Sequence, residues 1–469
     1  MRDMCNSPSV KELIRQYQPQ LVETVRQSVR IPSVLDAEAP GAPYGPQINA
    51  ALEHALETAR SLGFKTGNVD SQIGWCEYGA GEEMVAVLGH LDVVPAGTGW
   101  RHEPFGAELS EGRIWGRGSM DDKGPLFACL YGLKALADAG IPLRRRIRIL
   151  FGTNEESGSA DIPHYTAREE LPVLAFSPDG EFPVIFAEKG ILNFKISAAA
   201  EPGQAPVQLE SLHGGTAPNA VPDVCTARLR TSDSTIPAAL RRECELRGFR
   251  HELSSGADGS IVLSLFGKSA HGSTPEKGIN AAARMLLILD TLSLENGVAR
   301  AVHFLAEKIG QETDGQSLGL AMRDSIGALS LNLGLLDYEN GELSAALNIR
   351  FPVTKCAGDI TEPLTRLAAE NGLECQLVSR DDPLYYKPEE PLVAKLLEVY
   401  HDYRPGGEPI AIGGGTYAKE LPNTVAFGPL FPGRPDFNHQ AEEYITLEEL
   451  EELTQIFAQA MATLANMDK

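Results

Sequence analysis

The spacing of apolar positions changes several times along the chain, and each change predicts a different element. Ile48, Leu52, Ala55, Leu56, Ala59 and Leu62 recur at helical intervals and predict a helix over 46–62; a similar period covers 8–30, with a break expected near Pro19. Met84–Leu88 is instead a short unbroken apolar run, the pattern of a strand covered on both faces, and Ile147–Phe151 and Val173–Phe176 repeat it. Between the first two runs, Leu126, Cys129, Leu130, Leu133, Leu136 and Ala137 trace a helical stripe that stops at Gly140 and Pro142. Covered strands alternating with helices predict an α/β unit.

From about Gly190 the pattern turns to antiparallel-looking strands with a few helices. Strands are expected at 192–198, 225–230 and 260–266, and helices at 237–247 and 278–294. The runs 327–336 and 343–351 flank Asn340-Gly341 and predict a hairpin; a helix over 361–371 and a strand over 374–380 follow. Strand and helix segments recur on both sides of residue 300, which suggests an inserted α+β unit of two similar halves, although no sequence repeat marks them. A helix is again expected from Pro388 onward, and the last one opens with a capping box, Thr446-x-x-Glu449. The chain therefore reads as one domain, residues 1–190 plus 384–469, interrupted by a second at 191–383.

Composition narrows the class. A chain of 469 residues exceeds the size at which a single core keeps growing, and 43% apolar content can fill more than one. The net charge of −23 argues against binding to nucleic acid or to an anionic membrane. Seven scattered cysteines, none in a C-x-x-C spacing, indicate neither a disulfide framework nor a thiolate zinc site. The start, MRDMCNSPSVKELIRQ, has no apolar run of signal-peptide type, and a cytoplasmic location is expected.

The candidate chemistry sits where the apolar runs end. His90 and Asp92 in GHLDVV, Asp121 and Asp122 in GSMDDKGP, Glu155 and Glu156 in TNEESGS, and Asp179 after the run Val173–Phe176 each follow a strand or open a helix, where open α/β sheets place ligands. His90 and Asp92 are expected on one strand face. Histidine with several carboxylates suits zinc, manganese or cobalt, and a spare carboxylate serves the proton transfers of metal-assisted hydrolysis.

These motifs, with Trp100 and Pro104-Phe105, SPDGEFP, GKSAHGSTPEKGINA, NIRFP, GGGTYA and FNHQAEE, resemble the ArgE/DapE/carboxypeptidase/aminoacylase di-zinc metallopeptidase family, and within it the PepV-type dipeptidases. The resemblance runs from about residue 8 to the end. It implies a mixed-sheet zinc-hydrolase catalytic domain carrying a large inserted lid. It further implies two zinc ions, with manganese or cobalt as alternatives: His90 and Asp179 on one, Glu156 and His439 on the other, and Asp121 bridging, with a cis peptide commonly following the bridge. Asp92 would orient His90, and Glu155 would stay uncoordinated as the base. From the lid, Asn219 and His271 would reach the substrate, His271 facing the oxyanion, and Arg350 would pair with the terminal carboxylate of a short peptide, helped by Gly415 and Thr416.

The expected activity is hydrolysis of unblocked dipeptides. An N-acyl amino acid deacylase using the same site is the alternative, and a catalytically silent binding protein of the same fold is the third reading. The large lid is expected to let a monomer close its own site, with a dimer as the alternative.

Overall fold

A computed structural model of the chain describes residues 8–201 and 205–468. Cys5 and the first seven residues of the N-terminal segment considered above lie outside the described residues. The chain divides into two units, one running up to Phe186 with Tyr386–Ala411 and the stretch from Thr416 onward, the other comprising Ala187–Tyr385 and Ile412–Gly415. The tetrapeptide Ile412–Gly415 goes with the inserted unit. No described helix is long and apolar enough to cross a membrane.

The first unit is built on a mixed sheet ordered Lys65–Val69, Ile73–Tyr78, Arg146–Gly152, Met84–His90, Leu174–Ser177, Thr424–Ala426 and then Ile185 onward. Arg146–Gly152, Met84–His90, Leu174–Ser177 and Thr424–Ala426 run parallel to one another, while Lys65–Val69, Ile73–Tyr78 and the strand at Ile185 pair antiparallel with their neighbours. Met84–His90 is buried at every position because helices cover both faces of the sheet, as its unbroken apolar sequence requires. Lys123–Asp138, buried along most of its length, packs against Val10–Val29 and Leu447–Asn466. The last helix makes both bonds of its capping box: the Glu449 N–H donates to the Thr446 hydroxyl (3.0 Å) and the Thr446 N–H to the Glu449 carboxylate (3.0 Å).

Two sequence expectations fail in instructive ways. Val10–Val29 is one helix with Pro19 inside it. Pro19 lies on the exposed side, where water can satisfy the carbonyl that loses its donor, while Leu13, Ile14, Leu21, Val22 and Val25 keep the opposite face buried. The helix expected over 278–294 is only Ala281–Leu289, and a separate helix, Asn296–Lys308, follows.

The second unit is a single eight-stranded antiparallel sheet, ordered His251–Ser255, Ser260–Phe266, Val224–Thr231, Val207–Gly214, Ser330–Glu339, Glu342–Phe351, Gly190–Ala199 and Glu374–Asp381. Three residue pairs, Leu212↔Tyr338, His213↔Asp337 and Gly214↔Leu336, join its two four-stranded halves. Counted outward from that seam the halves correspond strand for strand. In the first, two strands lead through helix Ile236–Leu246 to the edge strand; in the second, two strands lead through helix Gly358–Glu370 to the other edge. The remaining places are filled in permuted order. Gly190–Ala199 and helix Asn296–Lys308 occupy in the second half the positions that Ser260–Phe266 and helix Ala281–Leu289 hold in the first. The hairpin turns at Asn340-Gly341, whose φ values of 53° and 80° fit the Asn-Gly pair.

A candidate metal centre and its surroundings

The ends of the parallel strands, with two loops, gather the predicted ligands in the first unit. His90 closes Met84–His90; Glu155 and Glu156 stand in a short turn after Arg146–Gly152; Asp179 follows Leu174–Ser177. Asp121 precedes helix Lys123–Asp138, and His439 lies in the loop before the strand Tyr444–Thr446. His90 Nε2 is 3.2 Å from one Asp121 oxygen and 3.8 Å from Asp179. His439 Nε2 is 3.2 Å from the other Asp121 oxygen and 3.0 Å from Glu156. Asp121 thus stands between the two histidines, each facing a different carboxylate oxygen. The Asp121–Asp122 peptide is cis.

One placement differs from expectation. Asp92 lies beyond the strand, and its backbone carbonyl, 2.9 Å from His90 Nδ1, approaches the ring more closely than its carboxylate at 3.6 Å. That carboxylate instead accepts the backbone N–H groups of Glu155 (3.2 Å) and Glu156 (3.1 Å), fixing the turn that carries both glutamates. Glu155, expected to stay uncoordinated as the base, stands beside the candidate ligands: its carboxylate groups with donors of His90 and Asp179, all within 4.8 Å of one another, as do donors of His90, Asp121 and Glu156.

This is a crowded acidic site. Burial raises Glu155 well above the usual carboxylate range, reinforced by the charge of Asp179. Burial likewise lifts Glu156 and, with Asp121, brings Asp179 to about 7. Burial works against the charged form of His90, but the carboxylates of Asp121, Asp92 and Asp179 outweigh it and hold the ring well above its ordinary value. Bonds to Asp121 and Glu156 bring His439 to about 11. Without a metal, protons on the histidines and acids are the counter-charge. The donor set therefore fits divalent cations: two imidazoles and several buried oxygens converge where positive charge is needed, and ligation would displace those protons.

Residues without an assigned role in the sequence hold this arrangement. Asp122 is fully buried and accepts the His90 N–H (3.2 Å); a Cβ on Gly89 would come within 2.3 Å of its carboxylate, so the approach requires glycine there. Glu443 accepts the N–H groups of Met120 (3.0 Å) and Asp121 (3.2 Å) and forms a buried ion pair with Arg117. Tyr417 donates to Asp161, which also accepts the Thr153 N–H (2.7 Å), and its ring meets His90 edge-on at 6.2 Å between centroids. Each lies inside a quoted motif or beside one, but a buried support and a solvated loop charge look alike in sequence.

The second unit brings its own predicted residues together. Asn219 and His271 are neighbours, with the Gly272 N–H donating to the Asn219 carbonyl (2.7 Å) and an isolated bridge between Ala220 and His271. His271 Nδ1 and the Ser273 hydroxyl are 2.7 Å apart. Arg350 is 4% exposed; it donates through Nη1 to the Gly413 carbonyl (2.7 Å) and through Nε to Asn348 (3.1 Å), and burial lowers it to about 10, still charged at neutral pH. A Cβ on Gly413 would stand 3.0 Å from Ser273, so the glycine-rich loop ties Arg350 to the His271 loop. Gly415 ends this unit, whereas Thr416 begins the next segment of the first, where its hydroxyl accepts the Ala418 N–H (3.2 Å) at the start of the turn Tyr417–Glu420.

Residues 86–463 match the model of peptidase family M20/M25/M40. YtjP of Bacillus subtilis, provisionally named a dipeptidase, is 37% identical, covering 97% of this chain and 99% of its own length. SH1171 of Staphylococcus haemolyticus, named in the same provisional way, is 33% identical with the same coverage. Among solved structures, human carnosine dipeptidase 1 is similar with a TM-score of 0.59 at 16% identity, over 98% of this chain and 99% of that one. An M20 metallo-carboxypeptidase from Sulfolobus solfataricus has a TM-score of 0.59 at 16% identity, over 96% and 100%. The ligand-bearing strand ends, the inserted second unit and the full-length relatives agree: the chain belongs to peptidase family M20/M25/M40 and is a metallopeptidase.

Proposed function

We propose that the protein hydrolyses unblocked dipeptides with two divalent cations, zinc foremost, and with Glu155 as general base. The observation that carries the reaction is the convergence of His90, Asp121, Glu156, Asp179 and His439 on one buried acidic site beside Glu155. The substrate class rests on the names of the full-length relatives. In this reading His90 and Asp179 would hold one cation, Glu156 and His439 would hold the other, and Asp121 would serve both. Bound there, the cations would lower the pKa of a water between them and stabilise charge growing on the attacked carbonyl oxygen.

The chain's own groups perform the remaining steps. Asp92 holds the Glu155 turn through two backbone N–H groups, so the Glu155 carboxylate keeps its aim. Glu155 takes a proton from the attacking water and delivers it to the leaving amine, a task suited to a carboxylate raised by burial. His271 and Asn219 bind the substrate, with His271 at the oxyanion. Arg350 takes the terminal carboxylate, which its planar fork fits, with Gly415 and Thr416 alongside. The working form in this reading is a cytoplasmic monomer.

The test is hydrolysis of matched free dipeptides, tripeptides and N-acetylated amino acids by zinc- or manganese-loaded protein, with Glu155→Ala as the blank. Turnover of free dipeptides that disappears in the blank is expected. Preference for acetylated substrates would move the assignment to a deacylase, and no turnover by metal-loaded protein would overturn the enzymatic reading.

A further inference from the structure

We propose that Glu443, held by Arg117, is a positioning residue that sets the geometry of the metal centre by locking the His439 loop to the Asp121 turn. The inference rests on the two-cation reading above. Glu443 stands four residues after His439, immediately before the strand Tyr444–Thr446 that pairs with Arg113–Trp115. One of its carboxylate oxygens receives both the Met120 and Asp121 N–H groups, the other receives Arg117, and its own carbonyl accepts the Gly116 N–H (2.9 Å). The loop carrying one histidine therefore grips the backbone of the acid that stands between the two.

The burial of this pair argues for placement rather than stability. The Glu443 and Arg117 side chains are 0% and 1% exposed, and the guanidinium lies over the Trp100 ring at 5.5 Å. A buried ion pair adds little stability over apolar packing of the same volume, whereas it fixes position strictly. The loop needs fixing. His439 (φ 61°) and Glu442 (φ 65°) both adopt the left-handed conformation that side-chain-bearing residues avoid, and such backbone persists only when its surroundings determine it. Glu442 supplies the second anchor, accepting the Arg101 (2.6 Å) and His102 (3.2 Å) N–H groups. Two adjacent glutamates thus fasten the His439 loop to two different segments. The described hydrogen bonds of the Glu443 carboxylate go to Arg117 and to backbone N–H groups, so it acts through the Asp121 backbone and through the loop.

The experiment titrates metal-free protein with zinc against a chromophoric chelator. The wild type should show two binding steps; a single step would sink the two-cation reading, whatever the variants do. Glu443→Gln keeps the shape but loses the charge, and it should weaken the step assigned to His439 and Glu156 by about 10–100-fold, the usual effect of removing a group that orients a ligand, while largely sparing the other. His439→Ala identifies that step. Glu77→Gln, which removes the acid from another buried ion pair of the same unit, with Arg148, should lower the melting temperature and leave both steps unchanged. If Glu443→Gln behaves like Glu77→Gln, its role is structural only and the proposal is overturned. Should Glu443→Gln fail to fold, Arg117→Lys takes its place: a smaller weakening of the same step supports the proposal, and unchanged affinity rejects it.

Discussion

The two units bury different things. In the first, charged side chains lie at the core around the strand ends: His90, Asp92, Arg117, Asp121, Asp122, Lys123, Asp161 and Glu443 are all buried. In the second, the buried charged side chains among the described residues are Glu188 and Arg350, and the rest of its buried polar side chains are amides and hydroxyls. A sheet covered on both faces lets loops at its carboxyl ends fold inward and hold charge away from water, where electrostatic interactions are strong and unpaired groups are costly. A sheet whose strands alternate buried and half-buried residues, as Ser260–Phe266 and the first part of Gly190–Ala199 do, places recognition groups singly and cheaply. Chemistry that needs fixed charge belongs to the first arrangement, and recognition by one buried arginine suits the second.

That contrast breaks most visibly in kinetics. Glu155→Gln should lower kcat by about 10²–10⁴-fold, the range for a lost general base, with metal content unchanged in elemental analysis. Arg350→Met, in the second unit, should instead raise KM and cost about 10–100-fold in kcat/KM, as for a lost charge-assisted bond, while C-terminally amidated dipeptides are cleaved no worse than by wild type. A fall in kcat for both substrates would erase the division of labour.

Proton linkage sharpens the comparison further. With His439 at about 11, its ring carries a proton at neutral pH in the metal-free chain, and the carboxylates around His90 favour its protonated form; protons held in this way must leave for metal to bind. Zinc affinity should therefore rise with pH and fall about tenfold per pH unit for each proton displaced as the solution is acidified, measurable by calorimetry in buffers of different ionisation enthalpy. The sign for folding is opposite. In the metal-free chain the His439 contribution to stability is complete below about 6.5 and is lost as pH rises through about 11. The smallest effect is Thr446→Ala, which should cost about 1 kcal/mol in urea unfolding by removing the helix cap, with kinetics unchanged.

Three of the candidate ligands, His90, Glu156 and Asp179, are legible because each follows an apolar run that marks a covered strand, so a short motif and its place in the fold read together; Asp121 stands instead at the opening of a helix, and His439, in a loop, is marked by its motif alone. The supports are not legible in this way. Asp92 is expected on the strand face of His90, but the strand stops at His90, and the carboxylate, 3.6 Å from the ring, also receives the Glu155 and Glu156 N–H groups. The strand Val207–Gly214 has no strand signature in the sequence because a register shift between Leu209 and Ser211 breaks its two-residue alternation. The edge strand His251–Ser255 shows no apolar face, and helix Asn296–Lys308 opens with Asn-Gly, which reads as a turn. The matching halves of the second unit left no linear repeat because one strand and one helix are supplied in permuted order.

The most direct test is a crystal structure of zinc-loaded protein phased on the metal's anomalous signal. The account predicts two peaks about 3.5–4 Å apart, the spacing of two-metal hydrolytic sites, with Asp121 shared, His90 and Asp179 on one, Glu156 and His439 on the other, and Glu155 bound to neither. A single peak, or Glu155 ligating in place of Glu156 or Asp179, would contradict it.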